Sequence, residues 1–348
     1  MIRLGIVGCN YGSAVLLPAF RLDTRCQVVG LAGSSPARAR EVAQKTGIET
    51  VFDGWRQLVA SPDIDAVAIA TPPMAQPDIA LAALAAGKAV FAEKPMAGDL
   101  VRAKAMLQAA RGRTTMMDFG FTEIPAWRRA KGIIEERQLG RLRHVAVTWH
   151  VENAATRLRQ RGWKSDLAAG GGALGNLASH SLHCLEWFCG PVAGLSARLS
   201  GLPDDPEFQT TVALNVAFVS GASGSYSMSC AAFGGSGHRL EFYGEEGALI
   251  LDNPTPDYMR GFKLRLKRRS IGAAEDIAVD DDAVDRNYPE EARIAPVSRL
   301  ARRFVDAIES GKAATPDFTD GYRVQVLMDA VRRSHDSGRW VDVTEAGK

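Results

Sequence analysis

Over roughly the first 120 residues, short apolar runs alternate with helical patterns, and few folds accommodate that alternation. Arg3 to Val7, Val28 to Ala32, Ala66 to Ala70, Ala89 to Ala92 and Thr115 to Phe119 read as strands. Between them, Ser13 to Leu22, Pro36 to Thr46, Gln76 to Ala86 and Asp99 to Arg111 read as helices. Strands joined by helical crossovers pair in parallel, and unbroken apolar runs suit strands covered on both faces. The expectation for residues 1–120 is an α/β domain, a parallel sheet with helices on both faces.

Beyond residue 120 the period drops to two. In Leu142 to Val151, the residues Arg143, Val145, Val147, Trp149 and Val151 share one side and His144, Ala146, Thr148 and His150 the other. The same period recurs in Thr211 to Phe218, Gly224 to Ala231, His238 to Tyr243 and Phe262 to Arg268. Successive strands without intervening helices predict an α+β domain over residues 121–348, built on a mixed or antiparallel sheet. Two helical patterns, Val297 to Ser310 and Asp320 to Ser337, close the chain and can pack back on the first domain. The acidic, aperiodic stretch Gly272 to Glu291, with Asp280, Asp281 and Asp282 in a row, reads as a solvated loop.

Charge and cysteine content bound the function. The 348 residues carry 42 Lys+Arg against 40 Asp+Glu, a net charge of +2 that argues against a nucleic-acid or anionic-membrane binder. No stretch has the roughly 18 uninterrupted apolar residues of a membrane span, and MIRLGIVGCNYG reaches a glycine turn without room for a signal peptide. Cys9, Cys26, Cys184, Cys189 and Cys230 are odd in number, dispersed and free of a C-x-x-C pair, so a reduced cytoplasmic location is expected.

The first strand runs into Gly8-Cys9-Asn10-Tyr11-Gly12-Ser13, where a dinucleotide fingerprint belongs. Glycines there let the backbone turn sharply and approach a pyrophosphate, which the helix N-terminus holds. The match to G-x-G-x-x-G is imperfect, since Asn10 replaces the middle glycine and Gly12 comes one position early. Asn tolerates left-handed backbone angles, which keeps the turn feasible. The second strand lacks the carboxylate that holds the ribose hydroxyls of NAD, ending instead in Gly33-Ser34-Ser35-Pro36. Ser34, Ser35 and Arg38 can accept a 2′-phosphate, so the reading leans from NAD towards NADP; Arg38 as a solvated helix residue is the alternative. Two further strand ends face the same crevice. One is Thr71-Pro72-Pro73 with Gln76 nearby, and the other is Glu93-Lys94-Pro95.

With GIVGCNYG, AIATPP, GKAVFAEKP and GGGALGNLASH in that order, the sequence resembles the Gfo/Idh/MocA family of oxidoreductases across essentially its whole length. The resemblance implies a Rossmann domain over residues 1–120 followed by an α+β domain with a large open sheet, and an NAD(P)-dependent sugar or polyol oxidoreductase that is a homodimer or homotetramer associating through that open sheet. It implies that Lys94 contacts the reacting hydroxyl and the nicotinamide, and that Pro95 follows a cis peptide. His180 becomes the candidate general base, and a histidine titrating near neutrality suits that role. The family pattern has Asp where this chain has Asn176, and an amide can orient a group but cannot take a proton. Asn176 is therefore assigned to substrate positioning. His180 and His183 lack a carboxylate or cysteine at zinc-site spacing, so no metal is expected.

On the substrate side, Asn153, Arg157, Arg159, Arg161, Trp163 and Lys164 precede the glycine triplet Gly170-Gly171-Gly172. A Trp face stacks on sugar C–H bonds, and the basic cluster hints at an anionic substrate such as a nucleotide sugar or uronate; the resemblance implies C3 of a nucleotide-linked or glycosidic sugar as the reacting carbinol. Arginines on a solvated loop are the alternative. Glu123 either touches substrate or caps the helix beginning at Pro125. Two other functions compete with hydride transfer to or from a sugar. One is a glycosidase or lyase using transient oxidation by bound NAD, and the other is a non-catalytic cofactor or sugar sensor.

Overall fold

The structure is a computed structural model that describes residues 1–279 and 283–343; Asp280, Asp281 and Asp282 of the acidic run lie outside the described residues. The chain divides into two compact units, Met1–Gly120 with Asp282–Gln325, and Phe121–Asp281 with Val326–Lys348.

The first unit is built on six parallel strands: β1 (Ile2–Val7), β2 (Cys26–Ala32), β3 (Thr50–Val51), β4 (Ala66–Ile69), β5 (Ala89–Ala92) and β6 (Thr115–Met117). Their order, β3-β2-β1-β4-β5-β6, reverses at β1, which lies between β2 and β4. A doubly wound sheet opens its ligand crevice at the carboxyl ends of the strands flanking such a reversal. The residues of β4 are all buried and those of β5 nearly so, which is why they read as continuous apolar runs. Local signals delimit the helices. Ser35 caps Pro36–Thr46, which ends at left-handed Gly47, and Asp99 caps Leu100–Ala109 by accepting the amide of Arg102 at 2.8 Å. The two-residue β3 and the helix Trp55–Ala60 escape a periodicity reading because neither spans enough residues to show a period.

Helix Ile294–Ser310, distant in sequence, packs into this unit's core. Its Phe304 meets Phe20 and Phe91 edge to face, with ring centroids 6.2 and 5.8 Å apart, and Phe20 meets Phe91 at 5.3 Å. All three rings are fully buried, an arrangement that adds favourable quadrupole contacts to the burial of large apolar area.

The second unit carries nine strands: β7 (Leu142–His150), β8 (Val192–Leu202), β9 (Asp205–Phe218), β10 (Ser223–Ser229), β11 (Gly237–Gly244), β12 (Gly247–Asn253), β13 (Lys263–Arg268), β14 (Ala274–Ile277) and β15 (Val341–Asp342). The order is β14-β13-β12-β11-β7-β10-β9-β8-β15, antiparallel except for the β7–β10 pair, so the sheet is mixed. Part of the acidic stretch expected as loop is β14, recruited as an edge strand by pairing with β13. The two-residue period holds: Val145, Val147 and Trp149 of β7 and Leu240 and Phe242 of β11 bury one face. Helices Pro125–Glu135 and Ser179–Cys189 cover that face, through Trp127 against Phe188 at 5.7 Å and Phe188 against Phe242 at 4.7 Å. The opposite face carries small and polar residues such as Thr148, Ser225 and Ser227.

Candidate active site

The glycine turn sits at the reversal point of the first sheet. Gly8 has φ +122, and a Cβ there would collide with the carbonyl oxygen of Ala70 at the end of β4. Its amide donates to Ala32 at the end of β2, so Gly8 crosses between the two neighbours of β1. The left-handed excursion expected of Asn10 therefore falls on Gly8 instead, and Asn10 is an exposed turn residue whose carbonyl accepts from Ala14 at 3.0 Å. Gly12 opens a π-helical turn, Gly12–Leu16, that runs into helix Leu17–Arg21. A Cβ on Gly12 would come within 2.8 Å of Ile6 Cγ2, so this early glycine allows close packing of helix on strand. No side chain caps the helix start, which leaves its amides available to an anion.

After β2, the Ser35 hydroxyl accepts the Arg38 amide at 3.4 Å, and the Arg38 guanidinium pairs with Glu41 at 2.8 Å. Ser34 is exposed. The groups expected to take a 2′-phosphate are thus partly engaged by their own helix, and Glu41 adds a carboxylate that opposes a phosphate. Thr71, two residues beyond β4, has a buried hydroxyl without a partner and is followed by exposed Pro72 and buried Pro73. An orphaned buried hydroxyl beside a backbone cradle that only glycine permits fits a dinucleotide at this sheet end.

Gln76 has a role the sequence does not disclose. Fully buried, it donates through Nε2 to the carbonyls of Glu93, Pro95 and Met96 at 2.5, 3.2 and 3.1 Å, and so holds the loop after β5 rather than facing a ligand. The Lys94–Pro95 peptide in that loop is cis. The Lys94 amide donates to Glu93 Oε2 at 3.2 Å. Asp118, which follows β6, stands beside Glu93 at the neighbouring strand end, and the Tyr11 hydroxyl donates to Asp118 Oδ2 at 2.9 Å. Burial, reinforced by the Asp118 charge, holds the Glu93 carboxyl well above the usual range. Burial also raises Asp118, while Glu93, Tyr11, Lys94 and Arg293 oppose that rise. Asp118 is absent from the sequence reading, although a carboxylate closing an apolar strand was a visible signal.

In the second unit, glycines place the other candidates. A Cβ on Gly171 would meet the backbone of Trp163, Lys164 and Asp166, and the Gly172 amide donates to the Lys164 carbonyl at 2.9 Å. The Trp163–Lys164 segment is thereby pinned to the start of the helical run, with Lys164 Nζ 6.0 Å from the Trp163 ring centroid. That run begins as a π-helical turn, Leu174–Ala178, and continues as Ser179–Cys189, so Asn176 lies on the π turn and His180 just beyond it. π turns often mark functional positions because they displace a side chain from its α-helical direction. His180 is half-buried and packs on Phe121 with ring centroids 4.6 Å apart. His183, by contrast, is buried and held neutral, its pKa pushed down to about 3 by desolvation.

Two of the four residues of the basic cluster are committed to internal partners. Arg159 donates to both oxygens of Asp204 at 3.0 and 2.8 Å, and Arg161 pairs with Asp205. Arg157 is exposed, and Asn153 caps helix Ala154–Arg157 by accepting the Thr156 amide at 2.7 Å. Glu123, 2% exposed, pairs with Arg128 at 2.9 Å and is not the cap of helix Pro125–Glu135, whose N-cap is Ile124. Among the described residues, no three His, Cys, Asp or Glu side chains are arranged to hold a metal ion.

Residues 2–121 match the model of an oxidoreductase family with an NAD-binding Rossmann fold, and residues 127–250 match the Gfo/Idh/MocA C-terminal domain. The chain belongs to the Gfo/Idh/MocA oxidoreductase family. An uncharacterized oxidoreductase of Synechocystis sp. is 30% identical, over 99% of this chain and 96% of its own. Levoglucosan dehydrogenase of Pseudarthrobacter phenanthrenivorans is 27% identical, over 90% and 89%. A solved levoglucosan dehydrogenase in complex with NADH and levoglucosan superposes with a TM-score of 0.87 at 26% identity, over 99% of this chain and all of the other. Membership accounts for the Rossmann sheet and the open mixed sheet together. The lean towards NADP finds no support here, since the family model describes NAD binding and the solved relative holds NADH.

Proposed function

We propose that this chain is an NAD-dependent dehydrogenase or reductase of an uncharged sugar or sugar derivative. The observation that carries the reading is the pairing of Arg159 with Asp204 and Arg161 with Asp205, which removes half of the basic cluster expected to hold an anionic, nucleotide-linked substrate. Trp163, pinned by the glycine triplet, supplies a face for sugar C–H bonds. The similarity to levoglucosan dehydrogenase supports an uncharged ring sugar over a nucleotide sugar.

Gly8 and Gly12, the amides of the helix start and Thr71 would hold the dinucleotide. When bound, the dinucleotide would supply hydride-transfer chemistry for the substrate carbinol carbon. Lys94 polarises the carbinol oxygen, and His180 takes or returns the hydroxyl proton. Asn176 orients the substrate or the imidazole by hydrogen bonding, since an amide holds no exchangeable charge. Much of the rate advantage then comes from holding both reactants in order rather than from covalent work. We further propose that copies associate through the small-residue face of the second sheet, which light scattering would read directly.

The test is a panel of unphosphorylated sugars, anhydrosugars and inositols against nucleotide sugars, with NAD or NADP, followed by the absorbance of the reduced nicotinamide. Reduction of NAD by an uncharged sugar is the expected result. Turnover confined to nucleotide sugars, or to NADP, overturns the reading. Product formation with no net change in cofactor indicates transient oxidation instead.

A further inference from the structure

Three chain segments far apart in sequence bring ionisable side chains together at the carboxyl ends of β1, β5 and β6. Tyr11 comes from the glycine turn, Glu93 from the end of β5 and Asp118 from the end of β6. The Tyr11 hydroxyl donates to Asp118 Oδ2 at 2.9 Å, and Glu93 and Asp118 directly follow Ala92 and Met117, which pair in register, so the two carboxyls stand at neighbouring strand ends. Two ionised carboxylates side by side there would repel, and neither could donate to the other.

We propose that Glu93 and Asp118 are an acid pair holding one proton at neutral pH, with the single charge on Asp118, and that the pair positions Lys94 and keeps it a charged ammonium. The role given to Lys94 rests on the proposed function; the shared proton does not.

The surroundings decide which member carries the charge. Tyr11 is a donor fixed on Asp118, and burial together with the nearby carboxyls keeps its own proton on. A hydroxyl donor stabilises the ionised form of its acceptor. Arg293, at the start of helix Ile294–Ser310, lies 5.1 Å from the Tyr11 ring centroid and adds a positive field at Asp118, while its guanidinium is clamped by Glu291 at 2.6 and 2.5 Å. Glu93 has a weaker donor, the Lys94 amide on Oε2 at 3.2 Å, and no donor on buried Oε1 to stabilise its ionised form, so it is the better site for the proton. Both carboxyls feel the Lys94 charge. With one proton shared, the pair contributes a single negative charge that Lys94 neutralises; with none it would contribute two in a buried setting, which is strongly disfavoured.

Carbon-detected NMR of the full chain, labelled in its Asp, Glu and Lys side chains, reads this without turnover. At neutral pH one carboxyl of the pair should resonate as the acid, and Glu93→Gln should remove that signal. In the same variant the Lys94 side-chain titration should stay close to that of the parent, because Asp118 keeps its charge. In Glu93→Gln with Asp118→Asn the Lys94 midpoint should fall by about one pH unit or more, a tenfold change in proton affinity. The alkaline limb of kcat/KM should move down with it. Two carboxylates resonating as ionised at neutral pH, or a Lys94 midpoint unmoved in the double variant, overturns the pair. If the double variant does not fold, Asp118→Asn alone suffices. Its Glu93 titration must fall once the neighbouring charge is gone, and an unchanged titration is equally fatal. A sugar screen without hits would sink the proposed function and leave this measurement intact.

Discussion

The imidazole of His238 lies nearly parallel to the indole of Trp149, with ring centroids 4.7 Å and planes 8° apart. Both ring nitrogens of His238 are buried without a hydrogen-bond partner, on the sheet face that helices Pro125–Glu135 and Ser179–Cys189 cover. Desolvation alone pushes its pKa down to about 3, so the ring is a neutral core side chain. The unfolded chain would titrate this group at about 6.5, so it binds the extra proton first as pH falls. The His238 contribution is therefore full above about pH 6.5 and is lost as pH falls towards about 3, at about 1.4 kcal/mol per unit. His238→Phe keeps the stack and removes the titration. In urea unfolding, its stability should fall less than that of the parent between about pH 7 and pH 5; identical slopes would contradict the assignment.

Lys94→Ala should lower kcat by about a hundredfold or more while the Kd for NADH, read by fluorescence, changes only a few-fold. Equal losses in both would make Lys94 a cofactor-binding residue and nothing else.

Gly8→Ala places a methyl group against the Ala70 carbonyl at φ +122, a conformation that L side chains rarely adopt. The backbone strain alone costs about 1–3 kcal/mol. NADH binding should fall sharply even where the variant folds, since the β1 turn must shift to relieve the clash. Retained affinity with retained stability would remove Gly8 from the cofactor site.

Arg159 and Asp204 are 46% and 69% exposed, so solvent screens their pair and it contributes little to stability. Arg159→Ala should leave both melting temperature and turnover of an uncharged sugar nearly unchanged. A large rise in KM would show that Arg159 leaves Asp204 to hold substrate.

Phe304 closes the aromatic trio with Phe20 and Phe91 from a helix that is remote in sequence. Phe304→Ala should destabilise the first unit by about 3–5 kcal/mol in denaturant unfolding. A loss below about 1 kcal/mol would mean that the helix is not part of that unit's cooperative core.

Much of the architecture was legible because periodicity is local. Arg3 to Val7 and Ala89 to Ala92 are continuous apolar runs since both sheet faces are covered, and Val145, Val147 and Trp149 alternate since one face is covered. Short elements were not legible: β3 and β15 have two residues each and exist only through their partners, β2 and β8. The acidic stretch concealed β14 for the same reason, as pairing with β13 supplies what its composition does not.

For the candidate site, the chain's own order of residues determined that a glycine turn follows β1, that Glu93-Lys94-Pro95 follows β5, and that Asn176 and His180 share a helical run, because each is a short-range pattern. Other assignments depended on contacts between distant segments. The left-handed turn fell to Gly8 because Ala70 crowds it, Arg159 and Arg161 were claimed by carboxylates some 44 to 45 positions away, and Asp118 reached Tyr11 across 107. Hydrogen bonds and desolvation act over a few ångströms of space whatever the separation along the chain. Which ionisable group keeps its charge was therefore decided only when the strands came together.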